Sequence, residues 1–92
     1  MQLSGTIYSI GETIQVSDKF KKREFILKTG GQYPQHILME MTQDKCSILD
    51  KYKIDELVVC DINVKGRLYN DKQGIEKCFN SIECWKIAKD EF

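Results

Sequence analysis

Apolar and polar residues alternate with a period of two through most of this chain, and a single proline, Pro34, interrupts them. A period of two puts successive side chains on opposite faces of an extended strand. Valine, isoleucine and aromatic residues fill many of the alternating positions, as a pleated, half-buried surface prefers. The chain is therefore expected to be predominantly β. At 92 residues it makes one small domain, residues 1–92, which buries about two-thirds of its unfolded surface. With 41% hydrophobic and 30% charged residues it has enough apolar material for a folded core, which argues against disorder.

Residues 2–16 read as a first long strand, with Leu3, Ile7 and Ile10 apolar and Gly5 and Gly11 as bend or bulge points that let one strand serve two sheets. In residues 22–28, Arg23, Phe25 and Leu27 share one side and Lys22, Glu24, Ile26 and Lys28 the other. The first side is the expected core. Gly30 and Gly31 supply a turn, and Pro34 opens a third strand over about 35–42. There Ile37, Met39 and Met41 face inward, and His36, Leu38, Glu40 and Thr42 face outward.

Asp44 is the expected N-cap of a short helix in which Cys46, Ile48, Leu49 and Tyr52 recur at roughly helical spacing. Leu57 to Tyr69 reads as a fourth strand, with Val58, Cys60, Ile62 and Val64 inward and Asp61, Asn63, Lys65, Arg67 and Tyr69 outward. Asn70 to Gly74 is a turn by composition, and Cys78 to Ile87 is the last strand. Three strands, a short helix and two strands, with a glycine-bent first strand, fit an all-β, five-stranded Greek-key barrel of the OB-fold type. An SH3-like barrel does not ordinarily place a helix between its third and fourth strands.

The four cysteines, at 46, 60, 78 and 84, contain no Cys-x-x-Cys pair, so a zinc finger is not expected, and Cys60 reads as a small buried hydrophobe. No cofactor is implied. Glycine-rich phosphate loops and nucleophile motifs are absent, which argues against an enzyme. The single histidine, His36, excludes an acid–base dyad of two histidines. The N-terminus lacks the charged start and apolar core of a signal peptide, and no apolar run reaches membrane-spanning length. A cytoplasmic protein is the expectation, with no membrane partner.

Charge is concentrated in one place. Lys19 to Lys28 carries five basic residues against one acid, although the whole chain has a formal net charge of 0. Cations that track phosphates beside aromatic faces that stack on bases suit single-stranded nucleic acid. Lysines on a strand edge that deter aggregation would leave the same pattern.

The segments Met1-x-Leu-x-Gly-x-Ile7, Lys21-Lys-Arg-Glu-Phe-Ile-Leu27 and Ile37-Leu-Met-Glu-Met41 with Asp44-Lys45 follow one another in a familiar order. So do Val64-x-Gly-Arg-Leu-Tyr69, with its turn to Gly74, and Phe79-Asn-Ser-Ile-Glu-Cys-Trp-Lys-Ile87. In that order and spacing the chain resembles the small OB-fold single-stranded DNA-binding proteins of bacteria and their phages, in a compact, largely uncharacterised branch. The resemblance implies a single strand crossing the outer face of strands two and three, between the loops joining strands one to two and four to five. It nominates Lys21, Lys22 and Lys28 as phosphate contacts, with Arg67 and Lys72 adding charge along the rim. Phe20, Tyr33, His36 and Tyr69 are the implied stacking residues, and Phe79, after the second loop, is a further ligand contact. Phe25 belongs to the core, and Trp85 to packing or an interface.

The family's replication proteins carry a long tail with an acidic, aromatic tip, whereas here the barrel runs almost directly into Asp90, Glu91 and Phe92. That tip could dock on a basic, apolar pocket of a partner, or simply fray. The implied function is non-catalytic, sequence-tolerant binding of single-stranded DNA in replication, recombination or repair, for a cell, a phage or a mobile element. RNA is served by the same contacts. Replication or recombination proteins are the implied partners, and relatives commonly form homo-oligomers. The competing reading is an OB-fold protein-interaction module, with Ile26, Leu38 and Trp85 as its contact surface and the lysines serving solubility.

Overall fold

The computed structural model describes residues 1–90. Its strands are β1 (Gln2–Ser17), β2 (Phe20–Lys28), β3 (His36–Thr42), β4 (Leu57–Asn70) and β5 (Glu76–Lys89), with a 3₁₀ helix, Gln43–Lys51, between β3 and β4. They close into a barrel in the order β1-β2-β3-β5-β4, as expected of an OB-fold. All neighbouring strands are antiparallel except β3 and β5, which meet in parallel through one pair, Glu40 with Glu83.

Closure requires β1 to pair on both edges. Thr6 faces Lys28 of β2 on one side and Leu57 of β4 on the other. Next to it Gly5 lies so close to β2 that a Cβ there would collide with the carbonyl oxygen of Lys28. Further along, β1 slips register against β2 between Ile7 and Ser9 and between Ile10 and Thr13. The second slip leaves Gly11 without a partner on β2, and Arg23 takes up its carbonyl. The Arg23 guanidinium donates from Nε to the Gly11 carbonyl at 2.8 Å, and from Nη1 to the Cys46 carbonyl at 3.1 Å and Asp50 Oδ1 at 2.7 Å. Arg23 thus sits on the inward side of β2, as the alternation implies, but works at the mouth of the barrel, joining the bend of β1 to the helix.

The core consists of Ile7, Phe25, Leu27, Met39, Met41, Leu49, Val58, Cys60, Ile62, Cys84 and Ile87. The inward sets expected for β2 and β3 hold, with Phe25, Leu27, Met39 and Met41 buried and Ile37 packed partly against them. The helix differs in type from an α-helix. Cys46, Leu49 and Tyr52 are three residues apart, which fits three residues per turn, and Cys46 and Leu49 are buried. The Tyr52 hydroxyl donates to the Ile87 carbonyl at 3.1 Å. Asp44 does not cap this helix. Thr42 occupies the N-cap without a side-chain cap bond, and Asp44 lies in the first turn, where its charge meets the positive end of the backbone dipole.

Val64 is the other correction. It is 61% exposed, because the barrel ends near Ile62 and the rest of β4 projects beyond it. The inner face of a strand stays buried only while another layer covers it. A bulge marks the departure, since Asp61 faces Lys86 and Ile62 faces Cys84, leaving Trp85 unpaired and exposed on the outside. From Asn63 to Asn70 every residue of β4 is exposed, and so are Glu76 to Asn80 of β5. The two form a long arm. A second arm is built from Gly11 to Ser17 of β1 and the start of β2.

The four cysteines are free, and Cys46, Cys60 and Cys84 are buried while Cys78 lies exposed on the long arm. The neighbouring Cys84 sulfur and burial push the Cys60 thiol well up, away from a reactive thiolate. No helix among the described residues is long and apolar enough to cross a membrane. Glu91 and Phe92 of the acidic tip lie outside the described residues; Asp90 is tied back by its amide, which donates to the Leu57 carbonyl at 3.1 Å.

Substitutions at Arg23 and Gly5, with Gly30 as a control, test the closure. Arg23→Ala should cost about 1–3 kcal/mol in urea unfolding, because the partly buried Cys46 carbonyl and the exposed Gly11 carbonyl both lose a charged donor. Arg23→Lys should recover only part, since an ammonium lacks the planar fork that reaches three acceptors. Gly5→Ala should cost about 2–3 kcal/mol by overpacking against the β2 backbone. Gly30→Ala, where nothing lies within 4 Å of the added carbon, should stay within about 0.5 kcal/mol of the parent. Equal stability of Gly5→Ala and Gly30→Ala would contradict this account of closure.

Candidate nucleic-acid interface

Because β3 and β5 share one pair, the space beside Glu40 and Glu83 opens into a groove between the β2–β3 face and the long arm. Its volume is about 460 Å³, and its lining includes Lys22, Glu24, Leu38, Glu40, Phe79 and Ser81. Strand period explains the set. Lys22, Glu24, Ile26 and Lys28 share the outer face of β2 and pair with Thr42, Glu40, Leu38 and His36 of β3. Arg67 faces Phe79 across the arm, Lys65 faces Ser81, and Tyr69 faces Lys77, so all six stand on one side of it.

Phe79 is the aromatic centre of this groove. It is 53% exposed, and the Arg67 guanidinium carbon lies 6.0 Å from its ring centroid, within cation–π reach. A smaller cavity of about 290 Å³, lined by Lys65, Gly66, Arg67, Phe79 and Ser81, adjoins it. Phe79 therefore lines two concavities, one toward β3 and one beside Arg67. Exposed aromatic surface beside a guanidinium is suited to holding a flat, electron-rich ring.

The other nominated residues are spread more widely. Lys28 and His36 are cross-strand partners at the far end of the outer face, about 20 Å from Lys22 at 3.3 Å per strand residue. Phe20 shares the Lys22 side of β2 and is exposed at the tip of the short arm, opposite Ser17. Lys21 falls on the opposite side, with Arg23, and its amide donates to Gln43 Oε1 at 3.3 Å. Tyr69 stands on the Arg67 side near the tip of the long arm, and Lys72 lies in the turn beyond it. Tyr33 is 78% exposed in the β2–β3 connection. The groove thus gathers Lys22 and Phe79, the adjoining cavity adds Arg67, the outer face adds Lys28 and His36, and Lys21, Tyr33 and Lys72 stand apart.

Several groups here carried no role in the sequence reading. Glu24 and Glu40 face each other across β2 and β3, and Glu83 pairs with Glu40 across the closure. Lys22 approaches Glu40 at 3.8 Å and Lys65 approaches Glu83 at 2.7 Å. The groove floor is therefore not a basic trough; its lysines are partly committed to carboxylates. Outward alternation had placed Glu24 and Glu40 on this face, but only the fold brings Glu83 beside them. Tyr8 is the second omission. It is 53% exposed, and its ring meets His36 edge to face, with centroids 4.6 Å apart and planes at 85°. Alternation places Tyr8 outward after inward Ile7, but its approach to His36 depends on the bulge between Ile7 and Ser9.

The turn at the tip of the long arm is well specified. Asp71 Oδ1 accepts from the amides of Gln73 and Ile75, both at 2.9 Å, and Gly74 takes the left-handed conformation at φ +79°. The Ile75 and Gln73 amides, with Lys77 at 3.4 Å, hold the Asp71 carboxyl below the usual aspartate range. Among the described residues there is no cluster of three or more side chains able to hold a metal ion.

The crystal structure of the mitochondrial single-stranded DNA binding protein Rim1 from S. cerevisiae superposes on this chain with a TM-score of 0.65. The match covers 97% of this chain and 93% of that one, at 13% identity. A likeness at that identity shows a shared fold, the OB barrel. No curated protein matches the chain in sequence. A model of a domain of unknown function, DUF3127, matches residues 2–88, and with nearly every described residue inside that match the chain belongs to the DUF3127 family.

Proposed function

We propose that this protein binds single-stranded nucleic acid, DNA in the first instance, through the groove between the β2–β3 face and the long arm. The observation that carries the reading is Phe79, a half-exposed ring lining the groove, with Arg67 beside it and Lys22 in the same lining. Bases stack on aromatic faces regardless of sequence, and cations beside them follow the phosphates. The yeast mitochondrial protein of the same fold, named as a single-stranded DNA binding protein, supports the reading.

Chemistry shapes the mode of binding. Carboxylates of Glu24, Glu40 and Glu83 on the groove side repel phosphates, so bases enter the groove and the backbone runs along its rim past Arg67, Lys22 and Lys28. With Lys22, Lys65 and Lys77 on this face already paired to carboxylates and a formal net charge of 0, affinity is moderate and falls with salt. Such a protein would act where single strands are exposed in replication, recombination or repair.

A second reading has its own observation. The opposite face of the long arm exposes Val64 at 61% and Leu68 at 64%, apolar surface that another chain could cover. Under it, copies of this chain or a partner protein meet along the arm, and nucleic acid plays no part.

Fluorescence anisotropy with a labelled thirty-nucleotide single strand at low salt separates the two. Saturable binding that exceeds binding to the matching duplex is expected; no binding, or equal binding to duplex, would remove the nucleic-acid reading. Phe79→Ala should weaken affinity about five- to hundredfold, the range for losing one stacked base. Leu68→Ala, on the other face of the arm, should leave affinity unchanged and alter the elution volume on sizing only if copies meet there. Arg67→Ala should flatten the slope of log affinity against log salt by about 0.7, one single-strand phosphate contact.

A further inference from the structure

We infer that Tyr8 and His36 form a second base-stacking platform, separate from Phe79, at the far end of the outer face. This rests on the nucleic-acid reading above. Tyr8 belongs to β1 and His36 to β3, with β2 between them, yet their ring centroids are 4.6 Å apart. The register slip between Ile7 and Ser9 makes this contact possible. Alternation turns Tyr8 outward after inward Ile7, and as the extra residue of the bulge it has no partner of its own on β2 and meets His36 beyond it.

The geometry points to an outward-facing ligand site. The planes stand at 85°, so each ring presents its edge or face to the other and they do not cover one another by stacking. Tyr8 is 53% exposed, and His36 is also exposed. A base lying on one ring would meet the edge of the other, a favourable arrangement for aromatic groups. Lys28, the cross-strand partner of His36, supplies a phosphate contact at the same place.

Position fixes the path. Along β3 the next outward residue after His36 is Leu38, which lines the Phe79 groove. Tyr8, His36, Leu38 and Phe79 therefore form one apolar strip crossing the outer face from β1 to the long arm. A single strand on that strip crosses β2 and β3 transversely, with bases on the rings at its two ends.

The test compares the parent, Tyr8→Ala, Tyr8→Leu, Tyr8→Phe, His36→Ala and the double alanine variant in the anisotropy measurement, with thermal melting alongside. Tyr8→Phe should stay within about twofold of the parent, and Tyr8→Ala and Tyr8→Leu should each weaken binding about five- to hundredfold. Tyr8→Leu keeps apolar cover on β2, so it decides the matter if Tyr8→Ala melts early. The double variant should lose less than the product of the single losses, because the two rings hold one base. In a Trp85→Phe background, Tyr8→Trp should show indole fluorescence quenched on adding the oligonucleotide. If the parent binds and Phe79→Ala weakens it while both Tyr8→Leu and Tyr8→Ala bind as the parent does, this platform is refuted and the groove stands. If the parent does not bind at all, the nucleic-acid reading falls and this inference falls with it.

Discussion

The fold depends on β1 pairing along both of its edges at once. A single flat sheet of these strands would leave the apolar sides of β2, β3 and β4 facing water. Closure through β1 turns those sides onto one another, and the condition is steric: at Gly5 the β2 backbone comes too close for any side chain. The same strand must then bend away toward the short arm. The bend at Gly11 exposes a carbonyl, and Arg23 binds it while also holding the 3₁₀ helix through Cys46 and Asp50. The pair with Asp50 contributes little, since that carboxylate is 69% exposed. The bond to the Cys46 carbonyl matters more, because that acceptor is partly buried and has less access to water.

The opposite seam of the barrel is thin, and the candidate site exists because it is thin. One parallel pair joins β3 to β5, and beyond it the strands diverge enough to leave a groove. Like charges meet at this seam, Glu40 from one strand and Glu83 from the other, and Lys22 and Lys65 offset them. In the proposed binding mode, architecture and recognition therefore compete for the same lysines. A phosphate drawn to Lys22 or Lys65 would uncover a carboxylate, which is a physical reason for bases to occupy the floor and for phosphates to remain on the rim.

Much of the barrel was legible because period-two alternation reports burial directly. Phe25, Leu27, Met39, Met41, Val58, Cys60 and Ile62 are buried where alternation places them, and the order of three strands, helix and two strands indicated the topology. Alternation reports a strand's own faces and is silent about whether anything covers them. Val64 continues the inward series of β4 perfectly and is exposed, because the covering strands end before it. Asp44 is a good capping residue, yet the chain enters its helix at Thr42, one turn type tighter than an α-helix. The candidate site was legible in part for the same reason. Arg67 and Phe79 can be assigned sides from sequence, but their mutual approach depends on the β4–β5 register. Tyr8 with His36, and Glu83 with Glu40, depend on a bulge and on barrel closure, neither of which local sequence encodes.

The long arm has a mechanical consequence. Beyond Ile62 it is a two-stranded ribbon with no second layer beneath it, so its backbone hydrogen bonds are accessible to water along both margins. Ribbons of this kind open and twist at low cost compared with the barrel that anchors them. The bulge at Trp85 stands where ribbon joins barrel and locally interrupts the β4–β5 ladder. One wall of the groove is therefore a single-layer ribbon and the other is fixed to the core; in the proposed binding mode the width between Phe79 and Leu38 would adjust to purines and pyrimidines without any change in the barrel. The tolerance of sequence proposed above would then follow from the stiffness gradient of the β-sheet as much as from the chemistry of its side chains.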